Sequence, residues 1–126
     1  EENGISERVI FAGIRTDIPE ILNSLDIFIL SSLHEGFPIA VLEAMLSNIP
    51  CVLSDIEPLL EISSNGELAQ IFETQNADDL SQKVIQLAKN NGLRLELADK
   101  AMVFSNKNYS IEAHLEKLRS LYQSIV

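Results

Sequence analysis

The feature that most limits what this chain can fold into is a set of short, unbroken apolar runs rich in Val, Ile and Phe. They lie at Val9 to Ala12, Asp26 to Leu30, Pro50 to Ser54 and Ala69 to Phe72. Alternating runs would mark a sheet with one wet face. Continuous runs mark strands covered on both faces, the pattern of a parallel sheet. Between them lie segments with helical spacing, Ile18 to Ser24, Ile39 to Ser47 and a short turn near Pro58 to Ile62. The rhythm β, α, β, α, β, α, β predicts an open α/β sheet of four or five strands.

The last third changes character, because three helical segments follow with no strand among them. Asn76 is placed to cap the first, with Asp78 and Asp79 in its positive first turn and Leu80, Val84 and Leu87 on one face. Gly92 reads as its stop. The second runs from about Leu93 to Ser105. Ser110 caps the third, in which Ile111, Leu115, Leu118, Tyr122 and Ile125 form one apolar stripe. The expectation is a Rossmann-like open parallel sheet with a helical C-terminal extension, residues 1–126 forming a single domain. Glu1 to Glu7 is polar and the first run begins almost at once. The favoured reading is therefore a piece of a longer chain whose preceding βα units are left out, over a small complete domain.

Charge and cysteine usage remove several classes of function. The formal charge is −10, and the nine basic residues are scattered singly. Nucleic-acid backbones are held by clustered Lys and Arg, so no nucleic-acid partner is expected. The lone Cys51 sits inside an apolar run, the place of a buried structural thiol rather than a metal ligand. No apolar run approaches the roughly 20 residues that span a bilayer, and no targeting pattern opens the chain. A cytoplasmic location follows as the expectation.

In open parallel sheets the ligand crevice lies beyond the carboxyl ends of the strands, so the loops there are the place to look. The loop after Asp26 to Leu30 reads Ser31, Ser32, Leu33, His34, Glu35, Gly36, Phe37, Pro38 and then enters IAVLEAML. Pro38 suits the first helical position, where a missing N–H does no harm. Phe37 before it has no oxygen to cap the N–H groups of Ile39, Ala40 and Val41, and an uncapped helix start attracts anions. In the competing reading Glu35 folds over and caps the helix itself. Gly36 serves either a close approach to a ligand or a turn with positive φ.

Glu43 is the only polar side chain between Ile39 and Leu46. A helix apolar all round is buried, and a carboxylate inside it needs partners. Glu35 and Glu43 would then face one crevice with free amides between them. Carboxylates accept hydrogen bonds from sugar hydroxyls and amides take phosphate oxygens, so a phosphorylated, polyhydroxylated ligand is the best fit. The spacing alone says little, since two carboxylates this far apart occur in many helices. The Gly, Pro and apolar context makes it informative.

The segment Glu35, Gly36, Phe37, Pro38, Glu43, Ala44, Met45 resembles the signature of the retaining glycosyltransferases of family four, a group with the GT-B fold. Their motif is Glu, seven residues, Glu, around E-G-F-G/P-x-x-x-x-E-A. The likeness extends over VIFAG, Asp17 and Leu22, DIFILSS, PCVLSD, PLLEIS and a terminal helix with a Leu-Tyr pair. The resemblance implies part of the C-terminal, donor-binding domain of such an enzyme, of hexosyltransferase type, using a nucleoside-diphosphate sugar as donor and no other cofactor.

By the same resemblance Glu35 contacts donor-sugar hydroxyls and is the residue assigned to catalysis, while Glu43 binds the ribose. The backbone around Gly36, Phe37, Pro38, Ile39 and Ala40 holds the diphosphate and sugar, although Pro38 has no N–H to give. Gly13 to Arg15, with Ile14 and Arg15 in the donor set, lies near the base. Family members carry an Arg and Lys pair upstream that neutralises the diphosphate, and nothing before Val9 supplies it. The acceptor side belongs to a separate N-terminal domain, which is missing here. The acceptor itself would be a glycan or a lipid-linked sugar, which would place the full enzyme in the cytoplasm or at the membrane periphery. No Asp-x-Asp cation site is present, and a metal-free reaction is expected, resting on support of the departing diphosphate and orientation of the sugar. The chain alone is expected to be inactive and to bind donor weakly.

The remaining polar residues weigh less. His34 stands beside Glu35, but family members vary there and no catalytic role is assigned to it. His114 lies off the apolar stripe and reads as solvated. Asp55 and Glu57 either touch the crevice or initiate the turn at Pro58, with the turn favoured. Glu61 is as well explained by a structural role as by an acidic site. The alternative function is a non-catalytic nucleotide-binding or interaction module derived from the same fold. A receiver-like signalling domain shares the rhythm, but lacks the paired acids and the Lys it requires.

Overall fold

The computed structural model describes residues 3–126, so Glu1 and Glu2 of the polar lead lie outside the described residues. Three parallel strands, β1 (Phe28–Leu30), β2 (Cys51–Ser54) and β3 (Gln70–Phe72), form a sheet in sequential order. Phe28 stands opposite Cys51 and Leu30 opposite Leu53, while Val52 pairs with Gln70 and Ser54 with Phe72. Every residue of β2 is buried, as a central parallel strand demands. Its alternate side chains divide two cores. Cys51 and Leu53 join Leu22, Val41, Ala44, Met45, Leu59 and Ile62 on one face, and Val52 joins Phe72, Leu87 and Leu97 on the other.

Among the described residues six α-helices accompany the sheet: α1 (Ile18–Leu22), α2 (Ile39–Leu46), α3 (Glu57–Ile62), α4 (Ala77–Lys89), α5 (Asn91–Tyr109) and α6 (Ile111–Ile125). Helix α2 links β1 to β2, and α3 links β2 to β3. The predicted caps of the last third form. The Asn76 side chain accepts from the Asp79 N–H at 3.0 Å, and the Ser110 hydroxyl accepts from Ala113 N–H at 3.1 Å. Asp17 does not cap α1, because its carboxylate is engaged by the Arg15 guanidinium at 2.8 and 2.6 Å.

Three expectations need correction. The run Val9 to Ala12 pairs with nothing among the described residues, and the sheet therefore has three strands rather than four or five. An apolar run reports a preference for burial but cannot supply the neighbouring strand, and Ile10 and Phe11 stand 89% and 95% exposed. Gly13 then turns the chain away at φ 64. Gly92 does not end α4. Asn90 closes α4 and caps α5 at once, accepting from Leu93 N–H at 2.9 Å, and Gly92 lies inside α5. The cap is stronger punctuation than the glycine because it satisfies a donor that water would otherwise have to serve.

The third correction concerns α2, which is not buried all round. Val41, Ala44 and Met45 face α5 and the sheet, whereas Ile39, Ala40, Glu43 and Leu46 face outward. With Glu43 as its one polar residue, α2 reads as apolar on every side, and its sequence overstates how much of it is covered. Here the described elements cover one side only. Glu43 is thus exposed, and among the described residues its carboxylate needs no buried partner.

Candidate functional site

The carboxyl ends of β1, β2 and β3 gather Ser31 and Ser32, Ser54, and the residues after Phe72 along one edge. Ser54 is fully buried and donates its hydroxyl to the Ser32 carbonyl at 2.7 Å. Ser32 in turn donates its own hydroxyl to Glu35 Oε1 at 2.5 Å. The carboxylate of Glu35 is therefore held, half-buried, at the mouth of the sheet by a route that begins in the core. It does not cap α2, whose first turn has no side-chain cap.

Pro38 stands one position earlier than expected, as the cap residue at φ −82, ψ 74 rather than the first helical residue. This shift of one changes the amide inventory. Ile39 N–H donates to Phe37 O at 3.0 Å and Val41 N–H to Pro38 O at 3.1 Å. Of the three amides expected to be free, the two flanking ones are spent on the turn, and only Ala40 N–H lacks a backbone partner among the described residues. Pro38 at these angles is the centre of an inverse γ-turn, which brings the Ile39 N–H onto the Phe37 carbonyl.

Gly36 does not use a positive φ, and a side chain there would meet nothing within 4 Å. The protein by itself thus makes no steric demand for glycine at this position. Phe37 is 56% exposed and packs its ring against Tyr109 at the end of α5, with centroids 5.9 Å apart and a 57° tilt. On one side of the loop a cleft of about 370 Å³ is lined by Ser31, Leu33, Phe72, Gln75 and Leu80. On the other a cleft of about 520 Å³ is lined by Phe37, Leu42, Tyr109, Ile111 and Leu115.

The structure thus brings Glu35, Gly36, Phe37, Pro38, Ile39 and Ala40 together at one loop–helix junction, with Glu43 on the outward face one turn beyond Ile39. Ile14 and Arg15 are not joined to it by any hydrogen bond among the described residues. Ile14 is fully exposed, and Arg15 is paired with Asp17 in an exposed bridge that lowers the Asp17 pKa. Asp55 makes its hydrogen bonds to the loop after β3 and does not cap the turn at Pro58. It accepts from the Thr74 N–H at 2.8 Å and from the Thr74 hydroxyl, and these bonds lower its pKa while tying the loop after β2 to the one after β3. His34 and His114 are exposed. Among the described residues no group of three or more His, Cys, Asp or Glu side chains is arranged to hold a metal ion. Two contributors were missed in the sequence. Ser54 was detectable as the polar residue closing an apolar strand, but Tyr109 had no local signal.

Comparison with known proteins adds a second line of observation. The family model described as glycosyl transferases group 1 matches residues 1–104. The N,N'-diacetylbacillosaminyl-diphospho-undecaprenol alpha-1,3-N-acetylgalactosaminyltransferase of Campylobacter jejuni is 44% identical over 96 residues, 76% of this chain and 26% of its own. Among solved structures, Anabaena HepE in complex with UDP superposes with a TM-score of 0.91 at 20% identity, over 98% of this chain and 34% of that one. The C-terminal domain of a group 1 family glycosyl transferase, LpcC, from Francisella tularensis gives 0.78 at 26% identity, over 87% and 58%. The chain spans about a quarter to a third of the length of the first curated relatives it matches.

Proposed function

Because the chain belongs to the group 1 glycosyl transferases, with the α/β fold of their GT-B relatives, we propose that its Glu35 to Glu43 junction holds a nucleoside-diphosphate sugar. The parent enzyme transfers that sugar with retention of configuration, and this chain supplies the donor-binding part. The observation that carries the reading is the placement of Glu35: a carboxylate tethered through Ser32 to buried Ser54, next to a glycine with open space around it. A carboxylate fixed before the ligand arrives loses little freedom on accepting hydroxyl hydrogen bonds. The gap at Gly36 admits the ligand close to the backbone.

In this reading Glu35 orients the sugar and Glu43 takes the ribose hydroxyls. Ala40 N–H, at the positive end of α2, faces the diphosphate. One free amide neutralises little charge, so the basic groups that steady the diphosphate come from elsewhere in the parent protein, as does the acceptor-binding domain. Ile14 and Arg15 are assigned to the base side. Arg15 serves there only if its pairing with Asp17, an exposed and weak bridge, gives way. The donor is the substrate, and no cofactor is assigned.

The Campylobacter relative is named for a lipid-diphosphate acceptor. We assign a lipid-linked or glycan acceptor to the parent of this chain too, working in the cytoplasm at the membrane periphery. Among the described residues no helix is long and apolar enough to cross a membrane.

The test is titration of UDP, GDP and ADP sugars into the isotopically labelled chain. Amides of Gly36, Phe37 and Ile39 to Val41 are expected to shift at millimolar ligand for one nucleotide, while those of α4 stay fixed. Stationary amides with all three would overturn the donor-site assignment.

A further inference from the structure

We propose that Tyr109 is a positioning residue for the Glu35 to Pro38 loop, acting through the ring of Phe37. The inference deepens the donor-site reading and rests on it. Ser32 and Ser54 hold the loop on the Glu35 side of Gly36. On the far side Phe37 is more than half exposed, and the aromatic ring packed against it is that of Tyr109. Gly36 between the two anchors has no side chain to restrict it, so the geometry of its flanks decides the path of the backbone.

Tyr109 is itself braced. Phe104, one turn and a half earlier on α5, stands edge-on to it with centroids 6.3 Å apart. Lys117 of α6 sits over its ring at 5.9 Å while donating to the Asn108 carbonyl at 3.2 Å. Among the described residues the Tyr109 hydroxyl makes no hydrogen bond, so the ring alone does the positioning. Helix α5 in turn rests on α2, where the Ser105 hydroxyl donates to Met45 Sδ at 3.6 Å. That bond joins α5 to the last turn of α2, and the Phe37–Tyr109 contact joins the end of α5 to the loop that enters α2 at its other end. The joint between α5 and α6 is in this way part of the site, although it lies some seventy positions along the chain.

The experiment uses the whole chain with Tyr109→Ala, Tyr109→Phe, Phe37→Ala and the double variant Phe37→Ala/Tyr109→Ala. Two quantities are read: amide order parameters of Glu35 and Gly36 in the free chain, and affinity for UDP. Tyr109→Ala is expected to lower the order parameters at Glu35 and Gly36 with those of β2 unchanged, and to weaken UDP binding about two- to tenfold, the range of one aromatic pair. Tyr109→Phe, which keeps the ring, is expected to return both. In the Phe37→Ala background the Tyr109→Ala change is expected to add nothing further, because the two act in series. Unchanged loop order in Tyr109→Ala, or full additivity in the double variant, would overturn the proposal. If the unaltered chain binds no UDP, the donor reading fails for that nucleotide, and the free-chain order parameters still decide whether Tyr109 positions the loop.

Discussion

The hydroxyl of Ser54, at the end of the central strand, donates to the carbonyl of Ser32 across 22 residues of sequence at 2.7 Å. This single bond joins the core to the loop that carries Glu35. Ser54→Ala removes the donor and leaves the Ser32 carbonyl to find water at a half-buried position. The expected cost is about 1 kcal/mol of unfolding free energy, measurable by urea titration. UDP-sugar affinity should fall with it, since Glu35 then depends on Ser32 alone. Unaltered stability would mean that the loop carries this bond without strain or gain.

The two carboxylates of the junction should separate in their effects. Glu43 is exposed on the outward face of α2, and Glu43→Ala should lower affinity for UDP and for UDP-sugar alike. Glu35→Ala should spare UDP and reduce the preference for one sugar over another. A hydrogen bond to a charged group contributes about 1.5–3 kcal/mol, or roughly one to two decades of affinity. Calorimetric titration of both variants with UDP and several UDP-sugars checks the assignment. The opposite pattern would exchange the two roles.

How much of this was legible in the sequence differs from residue to residue. The strands around Ile29, Val52 and Ile71, the caps Asn76 and Ser110, and the buried state of Cys51 were all readable, because each rests on local chemistry. Phe11 looked like a strand residue on the same evidence and is not one, because pairing needs a neighbour that a local pattern cannot provide. Glu43 was placed inside a buried helix because it stands alone among apolar residues, although it marks the outer face of α2. Helix coverage is a tertiary fact, set by where α5 lies. The Glu35 to Pro38 junction was recognised from its motif and helix context. Its supports were hidden, since Ser54 and Tyr109 are brought to it only by the crossing of the chain.

Met45 tests the seam between α2 and α5. It is fully buried, packed among Val41, Ala44, Ile49 and Ala101, and accepts from the Ser105 hydroxyl through Sδ. Met45→Ala should cost about 2–5 kcal/mol, from lost burial, an unfilled cavity and a buried hydroxyl without its partner. Met45→Leu keeps the volume and should cost less than about 1.5 kcal/mol, with the hydroxyl penalty as its main part. Chemical unfolding of the two variants separates the packing term from the polar one. Equal losses would show that sulfur rather than volume matters at this position.

Cys51 gives the chain a pH dependence whose sign can be worked out. It is 1% exposed in the middle of the sheet, and burial pushes its thiol from 9.0 up to about 12. Below pH 9 both folded and unfolded chains hold the proton, and the thiol has no effect on the balance. Between pH 9 and about 12 the unfolded chain releases its proton while the folded chain keeps it. The unfolded state then binds fewer protons, so stability falls as pH rises, by at most about 1.4 kcal/mol per pH unit. Cys51→Ala should flatten that part of the profile, at some cost in packing that is independent of pH. The same burial predicts that the folded chain reacts with a thiol reagent at pH 8 only as fast as it opens, and at once in urea. Rapid labelling of the native chain would place Cys51 at an accessible edge and remove the basis for the alkaline loss.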